Sequence, residues 1–355
     1  MKISCTKNHL KKIGRKIRKS ETLTSDDEIY FAAFRKGHEK ILTNFRSRMN
    51  DWLSKKEYKS VKFVQRLKKR DTIINKLQDR LKEMDLLRMQ DIAGGRLFFK
   101  DIPTLLKFRE QFIHTKEKKY RRINDDDKFN YIKKPADTGY RGIHDVYEEI
   151  TEDAVKAKIE IQYRTYVQHS WATALEVWDS NYGGKTKFGL DASPITMFFK
   201  LVSELFSREL ENKTNLKISD LDLFQQIILL DNRLHIVKKL KNVKQVQLEL
   251  PLEIDLKYII LQKQILNNVK VDLKIPGITN GIPKEYFELE RLHFQDDLVL
   301  VKSQRNFLKS AYNNYFNDVR PFLDNLEKSI KKLYKKYPFK CKWYAIKYNL
   351  DYFQL

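Results

Sequence analysis

Asp91, in DIAGGRLFF, and Glu160, in AKIEIQYRT, are the carboxylates whose types and surroundings suit a divalent cation. Asp91 stands just before a strand-like run, and Glu160 sits mid-run with polar neighbours at i±2. Brought together on neighbouring strands, two carboxylates can hold Mg²⁺, which takes one or two carboxylates plus phosphate oxygens and water. Either residue alone would also suit a turn or a solvated strand face. The cations match the same chemistry. Arg66 and Lys68 stand at i, i+2 in QRLK, so an extended backbone projects both to one side, and Arg96 follows the Gly94-Gly95 pair. Arginine grips phosphate oxygens with its planar fork and can stack on a base, whereas lysine acts as a point charge. Phosphoryl and pyrophosphoryl transfer needs mainly positioning and charge neutralisation. Taken singly, each cation is ordinary solvated surface.

The loop DTGYRGIH, Asp137 to His144, offers the other half of such a site. Gly139 allows a backbone shape or a close approach that other residues resist. Tyr140 presents a ring on which a base can stack, and Arg141 and His144 can reach phosphate or ribose. His144-Asp145 also invites a metal-phosphohydrolase reading, but the further His and Asp ligands it needs upstream are not suitably placed.

Alternating strands and helices must position these groups. AKIEIQYRT alternates strictly, with Lys158, Glu160, Gln162 and Arg164 facing one way and Ile159, Ile161 and Tyr163 the other. GGRLFF and GIHDVYEEIT read as strands, and SVKFVQRLK as a strand or an extended approach to a helix. RDTIINKLQDRLKEM, with Asp71 as its N-cap, IPTLLKFREQFIHT and YVQHSWATALEVWD read as helices. Earlier, a helix opens at an N-cap in Ser25-Asp-Asp-Glu and carries Tyr30, Phe34, His38, Ile41 and Phe45 at spacings of three or four. To about residue 180 the pattern predicts a mixed sheet with helices packed on it. Beyond it come two apolar helices, strands in VKQVQLELPLEIDLKYIILQ, VKVDLKI, YFELERLHF and LVLVKS, and a helical segment over about 304–335 that Pro321 should kink or restart. We place the domain division at 1–230 and 231–355, within a soft boundary region of 215–245.

The chain has 355 residues and a net charge of +23, with 41% hydrophobic residues, so it can bury a core and should favour a polyanionic partner. That partner could be nucleic acid, nucleotide phosphate or an anionic membrane surface, and a Lys-rich composition alone could supply part of the charge. The first 20 residues hold eight Lys/Arg and no acid, with Leu10, Ile13 and Ile17 at helical spacing. They read as a short basic amphipathic helix whose Lys11, Lys12, Arg15 and Lys16 could meet a polyanion. Cys5 and Cys341 permit neither a disulfide framework nor a Cys-type zinc site, so no zinc is expected. With no signal-peptide core and no apolar run near ~20 residues, a cytoplasmic protein without membrane contact is expected.

The order RLK, DIAGGRL, GYRGIH, EIQYRT, HSWATALE resembles the synthetase domain of the RelA/SpoT family of alarmone synthetases, over about residues 55–180. The resemblance implies an α+β fold with a nucleotidyltransferase-like mixed β-sheet flanked by helices, and transfer of pyrophosphate from ATP to a ribose hydroxyl. It implies that Arg66, Lys68 and Arg96 hold ATP, with Arg96 stacked on adenine. Asp91 and Glu160 would bind Mg²⁺, Glu160 would also help deprotonate the acceptor, and Tyr140 would stack on the acceptor's base. Arg141, His144 and Gln162 would support the acceptor pocket, while Arg164 and Trp171 would hold the fold. Tyr163 departs from the aliphatic residue usual there but faces the apolar side. No hydrolase region precedes these motifs, so a long bifunctional enzyme is not expected.

The basic start is similar to that of toxic small alarmone synthetases, several of which pyrophosphorylate the 3′ end of tRNA and stop translation. The resemblance thus makes tRNA the expected substrate, with (p)ppGpp or (p)ppApp synthesis, or a catalytically idle tRNA- or ribosome-binding protein, as alternatives. Across its whole length the chain resembles the CapRel group of fused toxin–antitoxin proteins. That implies a C-terminal α/β regulatory region, a degenerate zinc-finger-like module plus helices, silencing the enzyme until a phage capsid protein binds. The group's neutralising tyrosine pair is matched by Tyr312 and Tyr315, which on a helix would share a face.

Overall fold

The computed structural model describes residues 6–79, 85–115, 119–125, 127–150, 155–183, 193–245, 258–264, 270–274, 286, 288–289, 297–302 and 314–347. In chain order its elements are α1 (Lys7–Arg18), α2 (Ser25–Leu53), β1 (Lys62–Leu67), α3 (Arg70–Asp79), β2 (Ala93–Phe99), α4 (Ile102–Ile113) and β3 (Tyr120–Arg122). Next come β4 (Ile143–Glu149), β5 (Lys158–Thr165), α5 (Tyr166–Tyr182), α6 (Pro194–Glu211), α7 (Asp220–Leu234) and α8 (Ile236–Lys241). The last are β6 (Tyr258–Gln264), β7 (Lys270–Lys274), β8 (Asp297–Lys302), α9 (Arg320–Lys336) and α10 (Pro338–Lys347).

The strands form one sheet in the order β3-β4-β5-β2-β1-β8-β6-β7. β2 and β5 run parallel, and the other described pairs are antiparallel, so the sheet is mixed. The alternation read in β5 decides which face is buried. Ile159, Ile161 and Tyr163 have no exposed surface and pack with Leu97, Phe99, Phe108 and Phe112 into a core shared with α1, α2 and α4. A second core joins α5, α6, α7, α8 and α9 around Trp171, Phe199, Phe206 and Phe322. Trp171 donates its indole N–H to the Phe199 carbonyl at 2.8 Å, a purely structural role.

Several local expectations are revised. The N-cap of α2 is Thr24, not Ser25: its hydroxyl accepts from the Asp27 amide and the Asp27 carboxylate accepts from the Thr24 amide, a capping box. Asp71 lies in the first turn of α3, which already starts at Arg70. Of YFELERLHF, Tyr286, Glu288 and Leu289 are helical rather than strand. At Pro321, expected to kink or restart the segment, α9 begins, with the proline in its first turn where a missing N–H costs nothing. Asn314–Asn317 form a turn, so Tyr315 is a buried turn residue and not one of a helical pair; Tyr312 lies outside the described residues, as do Cys5 and the stretch 246–257.

The C-terminal segments do not stand apart. β8 pairs with β1 through Gln65↔Lys302 and Arg66↔Val301, extending the same sheet, while α9 buries Phe322, Leu326, Ile330 and Leu333 in the second core. The division between 230 and 231 falls inside α7. No group of three or more His, Cys, Asp or Glu among the described residues is placed to hold a metal ion. No described helix is long and apolar enough to cross a membrane.

Candidate active site

Sheet register assembles the polar groups. Glu160 pairs with Gly94 on one side and Val146 on the other, and Gly94 pairs with Arg66. Two residues along, Gln162 lies between Arg96 and His144. Directly paired residues point to the same side, so Arg66, Glu160, Arg96, Gln162 and His144 share the sheet face away from the first core. Gly94 leaves the space between Arg66 and Glu160 open. Arg66, Asp91, Arg96, Glu160 and Gln162 line one open cleft.

Asp91 lies among the cations of the cleft. Its Oδ2 accepts from Lys68 Nζ at 2.7 Å and from Lys76 Nζ at 2.9 Å. Burial opposes its charge, yet the two ammonium groups hold the carboxyl below its ordinary value. Burial, with Arg66 and Lys76 close by, lowers Lys68 to about 8 in spite of Asp91.

From Glu160 a continuous chain of polar contacts runs across β4 and β5 to the Tyr140 loop. His144 Nδ1 is 3.2 Å from Glu160 Oε1, and His144 Nε2 is 2.6 Å from the Tyr140 hydroxyl. Arg164 Nε donates to that hydroxyl at 3.1 Å, and its guanidinium lies 5.0 Å from the Tyr140 ring centre. Gln162 donates to Glu160 Oε2 at 2.7 Å and accepts from Arg96 and Arg164 at 3.3 and 3.0 Å. Burial alone would discharge His144, but Tyr140 and Glu160 raise it to about 9, so it is an imidazolium at neutral pH. Against the same burial, His144 and Gln162 hold Glu160 well below the usual carboxylate range.

Two residues expected at binding surfaces have other work. Arg141 points away from the cleft: it is buried in an ion pair with Glu211 of α6 and donates to Ser203 Oγ at 3.2 Å. Glu211 also accepts from Thr165 and Gln168 at the start of α5, so Arg141 fastens the loop to the helical layer. Lys16 is 2.5 Å from Asp27 and locks α1 onto α2, leaving Lys11, Lys12 and Arg15 exposed on the basic face. Asp145 lies on the opposite sheet face, fully buried and bridged by Arg109 at 2.8 and 2.7 Å, so it takes no part in the cleft.

Three residues at the site escaped sequence reasoning. Lys76 reaches Asp91 from α3. Arg164, assigned to the fold, contacts Tyr140 directly. Tyr131 packs edge-on against both Tyr140 and His144, with ring centres 5.4 and 5.6 Å apart. The periodicity of β5 puts Arg164 on the polar face with Glu160 and Gln162, a signal that was available; no comparable signal marks Lys76 or Tyr131.

Asp91 and Glu160 fit a divalent cation. They are hard oxygen donors on one cleft, and Asp91 Oδ1 is buried without a hydrogen-bond partner among the described residues.

Residues 65–185 match the family model described as the region found in RelA / SpoT proteins. Similar solved structures include the small alarmone synthetase 1 from Bacillus subtilis bound to its product pppGpp, at 21% identity over 52% of this chain and 93% of that one, with a TM-score of 0.42. The small alarmone synthetase 2 from the same organism has 20% identity over 56% and 94%, with a TM-score of 0.36. A GTP pyrophosphokinase family protein from Streptococcus pneumoniae has 17% identity over 59% and 93%, with a TM-score of 0.36. Likenesses this distant carry no weight on substrate. The comparison with curated proteins found no match. The matched region begins in β1, spans β2, β4 and β5, and contains every lining residue of the cleft but Val64: residues 65–185 of this chain match the region found in RelA / SpoT proteins.

Proposed function

We propose that this protein transfers the pyrophosphoryl group of ATP to a ribose hydroxyl. The observation that carries the reading is the cleft that joins Asp91 and Glu160 to Arg66 and Arg96, with the Tyr140 loop beside it. Arg66 and Arg96 face the triphosphate, and Lys68 acts through Asp91. The acceptor hydroxyl attacks the β-phosphorus, the bond from that phosphorus to the α,β-bridging oxygen breaks, AMP leaves, and the hydroxyl proton passes to Glu160. Asp91 and Glu160 would hold Mg²⁺, which when bound neutralises charge on the phosphates. His144 keeps Glu160 ionised and, with Arg164, fixes the Tyr140 ring on which the acceptor base stacks.

The acceptor in this proposal is the 3′-terminal adenosine of tRNA, which would block translation. Lys11, Lys12 and Arg15, exposed on one side of α1, support it. A free guanine or adenine nucleotide is the second reading, favoured by the loss of Lys16 from that basic face. Restraint by the C-terminal region until a phage capsid protein binds belongs to the same proposal, supported by the pairing of β8 with Arg66 on β1. ATP labelled at its β and γ phosphates, offered to deacylated tRNA, GDP, GTP and AMP with and without phage lysate, tests all of this. Label on tRNA that increases with lysate is expected. Label confined to free nucleotides establishes the second reading, and no transfer under any condition removes the enzymatic one.

A further inference from the structure

A second cavity, of about 230 Å³, lies against the loop that carries Tyr140 and shares no lining residue with the cleft. The loop lines it with Lys134, Asp137 and Gly139, and α6 with Lys200, Ser203 and Glu204, which stand at i, i+3 and i+4 on one helix face. The buried charges of the lining are already matched. Arg141 pairs with Glu211, and the Glu204 carboxylate accepts from Arg208 at 2.7 Å and from the Asn215 and Leu216 amides at 3.0 and 3.2 Å. Two ammonium groups are left over. The side chains of Lys134, from the loop, and Lys200, from α6, make no hydrogen bond or ion pair among the described residues. Against them stands one unengaged carboxylate of the lining, Asp137.

We propose that this cavity binds a small organic dianion, which ties Lys134 to Lys200 and so holds the Tyr140 loop on α6. Size and charge select that class. One water needs about 10–15 Å³ of such space, so the cavity has room for many more atoms than a single inorganic phosphate. A cation would meet two lysines, and an apolar ligand would strip water from both ammonium groups without replacing it. The loop carries the effect to the cleft. The Ala136 amide donates to the Tyr140 carbonyl at 3.1 Å, the Gly139 amide donates to the Ala136 carbonyl at 2.8 Å, and Ser203 donates to the Gly139 carbonyl. The Tyr140 hydroxyl in turn meets His144 and Arg164. Binding in the cavity stands by itself, while its effect on the acceptor rests on the transfer reading.

The first measurement is calorimetric titration of the full chain, without ATP, with succinate and with glycerol 3-phosphate, glycerol being the uncharged control. At least one dianion should bind saturably, and which one tells a dicarboxylate site from a phosphate-ester site. Lys134→Ser with Lys200→Ser should weaken it about tenfold or more, whereas Arg66→Ala should leave it bound. Asp137→Asn should tighten it about two- to fivefold. No saturation by either dianion below about 10 mM would overturn the inference, as would equal binding of glycerol. Loss of binding in Arg66→Ala with wild-type affinity in the lysine variant would place the anion in the cleft and overturn it too. The second measurement is initial rates with the bound dianion at saturation. KM for the acceptor should fall about fivefold with KM for ATP unchanged, and the lysine variant should not respond. An unmoved acceptor KM with binding intact would overturn the coupling. Binding without transfer under any condition would remove the transfer reading and leave the dianion site standing.

Discussion

Replacing Gly139 by alanine should disable the acceptor side of the site while sparing the donor side. Gly139 has φ +91°, and a Cβ built there would lie 2.8 Å from Lys200 Cα and 3.2 Å from Ser203 Cβ on α6. The nearer contact is helix backbone and cannot rotate aside. Restoring an ordinary carbon contact near 3.5 Å requires the loop to move by about 0.7 Å, and the strained φ adds about 1–3 kcal/mol. That movement pulls on the Gly139 carbonyl, which accepts from Ser203, and carries Tyr140 with it. Because a shift of about 1 Å can cost a hundredfold in rate, kcat/KM for the acceptor should fall about 10- to 100-fold. KM for ATP should change less than about threefold, since Arg66 and Arg96 sit on β1 and β2. Initial rates with each substrate varied, alongside urea denaturation, make the measurement. Gly183→Ala is the control: it has φ +70° but nothing within 4 Å of its Cβ, so it adds strain without displacing the loop. A folded Gly139→Ala protein with an acceptor kcat/KM within about twofold of wild type would refute the reasoning.

Three further outcomes follow from other parts of the molecule. Glu211→Ala should cost about 3–5 kcal/mol in denaturant unfolding by stranding Arg141 in the interior, and pairing it with Arg141→Met should recover much of that loss; equal losses in single and double variants would contradict the role given to the pair. His38 is buried, accepts no solvent, and contacts the Phe34 carbonyl at 2.8 Å; burial and the nearby Lys158 lower it from 6.5 to about 4. The unfolded chain therefore binds more protons than the folded one in that window, so stability should fall by about 3 kcal/mol as pH drops from 6.5 to 4. His38→Gln should flatten that slope in pH-dependent urea melts, and an unchanged slope would count against it. Lys76→Met removes one of the two ammonium groups on Asp91 and should raise KM for ATP about tenfold with little effect on the acceptor; an unaltered ATP KM would make Lys76 a bystander.

What could be read before the fold was known depended on how local each signal was. The period of two in β5 placed Glu160 and Gln162 opposite Ile159 and Ile161, because a strand edge writes its two faces into adjacent letters. The same alternation already held Arg164, whose contact with Tyr140 became visible only once the loop was placed. The ion pair of Arg141 had no local mark because its partner Glu211 lies 70 residues away, and a cation in a glycine-rich loop looks the same whether it meets a ligand or a buried carboxylate. The contact of Lys16 with Asp27, eleven residues along, had no local mark for the same reason. The pairing of β8 with β1 had no local mark, since strands distant in sequence declare their partners only through register. Tyr315, expected within the helical segment of about 304–335, lies in a turn just before Pro321.

The central claim is that Asp91 and Glu160 form the centre of a pyrophosphate-transfer site. Its most direct test is the fate of the label in β,γ-labelled ATP with wild-type protein and with Glu160→Gln, across the acceptor panel and in the presence of Mg²⁺. The substitution keeps the shape of the side chain and its contact with Gln162 while removing the charge that His144 faces. The account predicts AMP release with label on the acceptor for wild type, and neither for the variant, with both proteins folded at the assay temperature. Transfer at the wild-type rate by a folded Glu160→Gln protein would contradict it.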